Sequence, residues 1–173
     1  TATPAFTRDN PRTAAPTSVG GTLKVASFNV LNYFTTFTDG NTASGQTGQG
    51  CTVGGSTLAS NCRGAHSAAE FARPPAKLVA ALKAGNAAVV GLTATQNNGT
   101  VAVQNLVNAM NVAYGSNAYA AINNLNGSTG TDAIRVAMIY KPAAVTPVGT
   151  AISDGDAIHN RPPLAQTFQA ANG

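Results

Sequence analysis

From Leu23 the chain reads Leu-Lys-Val-Ala-Ser-Phe-Asn-Val-Leu, half alternating and half continuous in apolar character, a pattern that predicts a strand buried on at least one face. Upstream, residues 1–21 carry Pro4, Pro11, Pro16 and Gly20-Gly21 and read as an extended arm or linker, with the folded unit taken as 22–173. Residues 35–64 are rich in Gly, Thr, Ser and Asn and predict one long loop, of a length that is usually functional or disordered. From Ser67 to Ala84 the apolar positions Phe71, Leu78, Val79 and Leu82 recur at helical spacing, and Gly85-Asn86 supplies a C-terminal stop. Pro74 and Pro75 conflict with one continuous helix, because an interior proline costs about 3 kcal/mol. Either the helix begins at Pro74, a favoured first-turn position, or these are not the residues the natural sequence carries. Residues 87–92 read as a short buried strand, so that strand, helix and strand make a parallel crossover. Val103, Leu106, Val107 and Met110 predict a second helix over 101–114, 133–140 reads as a strand stopped by Lys141-Pro142, and a last strand starts after Pro163. The predicted class is α/β, without internal repeats.

Composition narrows this picture. A chain of 173 residues with 43% hydrophobic content can bury a core. Charged residues make up only 9%, against roughly 25% in ordinary soluble domains. The sole glutamate is Glu70, so acid chemistry has few candidates. Ten Lys and Arg against six Asp and Glu give a net charge of +4, mildly favourable to a polyanion, although the basic residues are scattered. No apolar run approaches the ~20 residues of a membrane span, and no signal-peptide pattern opens the chain. A soluble, mature form is therefore expected. Cys51 and Cys62 bracket a Gly/Ser/Thr-rich segment and are expected to form a disulfide, worth roughly 3 kcal/mol in the loop-entropy model and implying an oxidising compartment. The spacing of a zinc site is absent.

The segments SFNVLNYF, CRGAHSAAEFAR, AKLVAALK, VVGL followed by NNG, GTDAIRVAMIYKPAAVTPVG and RPPLAQTF resemble, in this order, secreted bacterial nucleases of the endonuclease/exonuclease/phosphatase superfamily. The resemblance covers most of residues 10–168. It implies the N-terminal part of a two-sheet α/β sandwich with flanking helices, a Mg²⁺-dependent phosphodiesterase ancestry, nucleic acid as partner and a secreted location. It places Asn29 at the floor of the site, orienting metal or phosphate, with Asn32 beside it on the substrate side. Asp132 becomes a catalytic candidate and Arg135 a substrate-binding one, both on the strand bordering the groove.

The chemistry explains those residue types. Phosphodiester cleavage needs a nucleophilic water and a Lewis acid for the charge that builds on oxygen, and Mg²⁺ is held by one or two carboxylates plus waters and phosphate. Where the family has a Glu-x-Glu pattern this sequence reads Ala94 and Gln96, and alanine has no ligand atom. The family's later catalytic motifs lie in a second half that this sequence does not contain. Expected, then, is a chain inactive in this form. Three explanations stay open: part of a longer chain or assembly, a degenerate homologue kept for binding, or side chains assigned by inference rather than from a gene.

Each candidate also has a plainer role. Asn29 and Asn32 can end a strand by bonding backbone in a turn, Asp132 can be a turn residue after Gly130-Thr131, Arg135 can face solvent, and His66 and His159 read as surface imidazoles. A Ser27, His66 and Asp132 triad lacks any nucleophile-elbow pattern. The alternative function class is a non-enzymatic extracellular binding or self-assembling protein, in which a half-sandwich leaves apolar sheet exposed and a homo-oligomer or a further half covers it.

Overall fold

The computed structural model describes residues 3–5, 7, 9, 13 and 15–171. In chain order its elements are β1 (Val25–Tyr33), β2 (Cys51–Val53), β3 (Ser56–Leu58), α1 (Ala68–Phe71), α2 (Pro74–Gly85), β4 (Val89–Gln96), α3 (Val101–Tyr114), β5 (Ala120–Ala121), β6 (Leu125–Asn126), β7 (Ile134–Tyr140), β8 (Val145–Ser153) and β9 (Leu164–Ala170). The fold is mixed α/β with three sheets. The main one runs β1-β4-β7-β5, β2 and β3 form a hairpin, and β6-β8-β9 make the third.

The predicted crossover is present, since β1 and β4 pair in parallel from Val25 opposite Val89 to Asn29 opposite Thr93. β7 then returns antiparallel to β4. Period-2 alternation sorts β1 between two faces. Ala26, Phe28 and Val30 join Val90, Leu92, Ala137 and Ile139 against Leu82 of α2 and Leu106, Val107 and Met110 of α3. Each fully buried Leu, Ile or Met there contributes about 1.5–3 kcal/mol. On the opposite face Val25, Ser27 and Asn29 are exposed, and Tyr140 stacks on Phe168 of the third sheet at 5.6 Å between ring centroids.

One open alternative is decided and one expectation is corrected. The helical stretch 67–84 divides: α1 is one turn, and α2 begins at Pro74, as the first of the two alternatives has it, where a missing N–H costs nothing and the fixed φ suits a helix start. Asn86 stops α2 in the left-handed conformation, φ 50°. The segment 35–64 is not plain loop, because β2 and β3 pair Cys51 with Leu58 across a Gly54-Gly55 turn. Both turn glycines have positive φ, the conformation a two-residue hairpin demands. The expected disulfide Cys51–Cys62 closes this segment, with 5.1 Å between Cα atoms. It packs with Phe34, Ala133 and Ile134 into a second core beside Ala94. The arm is described in part only, and its remaining positions lie outside the described residues.

Candidate functional site

The main sheet is irregular where β1 and β4 end. Pairing jumps from Asn29–Thr93 to Tyr33–Thr95 and from Leu92–Ala137 to Thr95–Arg135, so both strands bulge beside each other. Leu31, Asn32 and Ala94 carry φ of 50°, 57° and 62°, conformations that cost an L-residue roughly 1–2 kcal/mol. Bulges re-aim side chains, and strained residues gather at functional sites. Asn29 supports the β1 bulge directly, its Oδ1 accepting the Leu31 N–H at 2.9 Å.

Beside Ala94 opens a cleft of about 420 Å³ lined by Thr93, Arg135 and Val136 of the sheet and by Ile158, His159, Asn160 and Arg161 of the β8–β9 connection. Arg135 does not face solvent, as a strand position in an alternating pattern would allow; it is 7% exposed. Its Nε donates to the Val136 carbonyl at 3.0 Å and Nη1 to the Gly99 carbonyl at 2.9 Å. Among the described residues no carboxylate pairs with it. Among the described residues no buried side-chain polar atom lacks a partner, so Nη2, which bonds nothing described, keeps contact with solvent. Burial pulls the Arg135 pKa below its ordinary value, yet a guanidinium stays charged in proteins. A buried cation without a counter-charge is costly, and an anion in this cleft would remove that cost.

Asp132 lies at the same strand end but is committed. Its carboxylate pairs with Arg63 at 2.9 Å and Arg161 at 3.4 Å and accepts the Ile134 N–H at 3.4 Å. It ties the disulfide segment, the start of β7 and the β8–β9 connection together. Two guanidinium groups therefore share this carboxylate, and the third guanidinium near this strand end, that of Arg135, is left without one. His159 bonds Asp154 at 3.2 Å, and hydrogen bonding from the Asp156 backbone, ahead of the histidine, holds the Asp154 carboxyl below its ordinary range. His66 is exposed and bonds Thr38 at 2.8 Å, away from the cleft.

Gln96 has a structural role. Its Oε1 accepts the N–H groups of Thr35 at 2.8 Å and Thr36 at 3.0 Å, and its Nε2 donates to Thr36 Oγ1 at 2.8 Å and Cys51 Sγ at 3.3 Å. It pins the chain leaving β1 to the disulfide. Magnesium does not fit the donors present: Ala94 has none, Asn29 Oδ1 is engaged and Asp132 is held by two arginines. Among the described residues no three His, Cys, Asp or Glu side chains converge.

Sequence reasoning brought Ala94, Asp132 and Arg135 to one place and missed His159, Asn160 and Arg161. His159 reads in the sequence as a surface imidazole, and nothing in the polar HNR run before the two prolines signals its place beside Arg135. No protein-family model matches the chain, and no curated protein matches it significantly.

Proposed function

We propose that this chain is a phosphodiester-binding domain on a nuclease-type scaffold of the endonuclease/exonuclease/phosphatase kind, engaging extracellular nucleic acid without metal-dependent hydrolysis. The observation that carries the reading is the buried, uncompensated Arg135 guanidinium at the edge of an open cleft. Phosphate oxygens match the planar fork of arginine, and Arg161 and Asn160 add donors on the opposite wall. The strained β1 and β4 ends beside the cleft, Asn29 at the first of them, suit a site inherited from phosphoryl chemistry. The Cys51–Cys62 disulfide supports an oxidising, extracellular setting.

Fluorescence anisotropy with a short single-stranded DNA tests this. Affinity should fall linearly with salt on logarithmic axes, inorganic phosphate should compete, and Arg135→Gln should weaken binding roughly tenfold or more, the worth of a charged hydrogen bond. Binding untouched by salt and by Arg135→Gln sinks the reading. Mg²⁺ should not stimulate cleavage, since no carboxylate lines the cleft.

A second reading, self-assembly, is favoured by the exposed β1 edge of the main sheet. Val25 is 70% exposed there on β1, an edge strand, and exposed apolar edges are pairing surfaces.

A further inference from the structure

A second and larger cleft, about 550 Å³, lies between the loop 35–50 that follows β1 and the first turns of α3. It shares no lining residue with the arginine cleft and falls within the ~300–1,000 Å³ range of small-molecule sites. None of its lining side chains is ionisable or aromatic; they are amides and hydroxyls almost throughout. That chemistry restricts the ligand. An anion or cation would lose its hydration without gaining a counter-charge, an apolar ligand would strip water from a dozen polar groups, and a nucleobase would find no ring to stack on.

The polar groups are arranged rather than merely present. Along one face of α3, Gln104 Nε2 donates to Asn108 Oδ1 at 2.9 Å, leaving Gln104 Oε1 as an acceptor and Asn108 Nδ2 as a donor. The buried Tyr33 hydroxyl donates to Asn105 Oδ1 at 2.6 Å, which sets that amide so that its Nδ2 is also free. The floor is rigid, because Gln96 holds Thr35 and Thr36 while Asn98 bonds Thr35 Oγ1 at 3.0 Å. The far wall is a tight turn closed by Thr42 N–H to the Gln46 carbonyl and Gln46 N–H to Thr42 Oγ1, both at 3.0 Å. Among the described residues the Gln46 amide makes no side-chain hydrogen bond. Free donors and acceptors thus face one another on prepositioned walls, which lowers the ordering cost of binding. A vicinal diol, each hydroxyl both donor and acceptor, is the group such alternating amides accommodate.

We propose that this cleft is a binding site for a neutral saccharide, separate from the anion cleft. The test is a titration of ¹⁵N-labelled protein with maltose, cellobiose and N,N′-diacetylchitobiose, following the side-chain amide signals of Gln104, Asn105 and Asn108. At least one sugar should give saturable shifts there. Asn108→Asp, which keeps the acceptor for Gln104 and deletes the free donor, should weaken binding roughly tenfold, the worth of one hydrogen bond. Gln104→Ala, at a half-buried position, should do the same. Linear, non-saturating shifts with all three sugars, or equal affinity in both variants, overturn the proposal. Because the signals belong to this cleft alone, failure here leaves the oligonucleotide experiment standing, and the reverse also holds.

Discussion

Ala94 carries the sharpest residue-scale consequence: it is an L-residue at φ 62° in mid-strand. Ala94→Gly removes a steric cost of about 1–2 kcal/mol and adds back some unfolded-chain entropy, so a net gain of roughly 0.5–1 kcal/mol is expected in urea denaturation. Ala94→Glu instead puts a carboxylate beside Arg135, and it should weaken oligonucleotide binding roughly tenfold by supplying the missing counter-charge. Two positions along, Gln96→Ala would strand two buried backbone N–H groups and the Thr36 hydroxyl. A loss of about 3 kcal/mol or more is expected by the same measurement, with Gln96→Glu milder because its oxygens still accept from Thr35 and Thr36. Both positions stood out in the sequence as places without an acid. That one caps buried amides while the other borders a cationic cleft was not legible, since both roles depend on Thr35, Thr36, Cys51 and Arg135, all remote in the chain.

At the scale of elements, two devices hold the clefts. The disulfide closes the β2–β3 hairpin and backs the floor of the polar cleft; its reduction should lower stability by roughly 3 kcal/mol in the chain-entropy model, read as a shift of the urea midpoint. Gly130, at φ 83°, lets the chain entering β7 pass against the β8–β9 connection, where an added Cβ would strike the Asn160 carbonyl and Pro162. Gly130→Ala should push the walls of the arginine cleft apart, with oligonucleotide affinity falling along with stability. α3 was readable to its ends because Val103, Leu106, Val107 and Met110 keep one stripe buried. β8 was not, because Pro147 and Gly149 interrupt it and Val148 and Ile152 remain 47% and 57% exposed, which erases alternation.

Across the whole molecule, two tyrosines govern alkaline behaviour. Tyr33 and Tyr119 are each 2% exposed, and burial raises both pKa values above the ordinary range. Tyr119 also donates to the Ala87 carbonyl at 2.7 Å. The unfolded chain releases these protons near pH 10 while the fold retains them, so their contribution is fully present below about pH 10 and is lost as pH rises above it, by up to about 1.4 kcal/mol per pH unit for each. Denaturation midpoints should therefore fall steeply above pH 10, and less so in Tyr119→Phe, which lacks the proton and has a lower plateau. The exposed β1 edge makes a further prediction: sedimentation of the protein should show self-association, and Val25→Lys should abolish it. A monomer at all concentrations removes the assembly reading.

Local pattern alone determined the α/β class, the parallel crossover, both long helices' C-terminal regions and the cysteine pairing, because periodicity, proline and glycine act within a few residues of themselves. Folding decided what the polar residues do. Asp132 became an ion-pair hub because Arg63 and Arg161 arrive from segments on either side of it, and Arg135 became a buried cation because the β8–β9 connection folds over it. The neutral cleft exists only where the loop 35–50 meets α3. Charge and hydrogen-bond complementarity are properties of through-space distance, and in this chain the distances that matter are set by the sheet and by the disulfide.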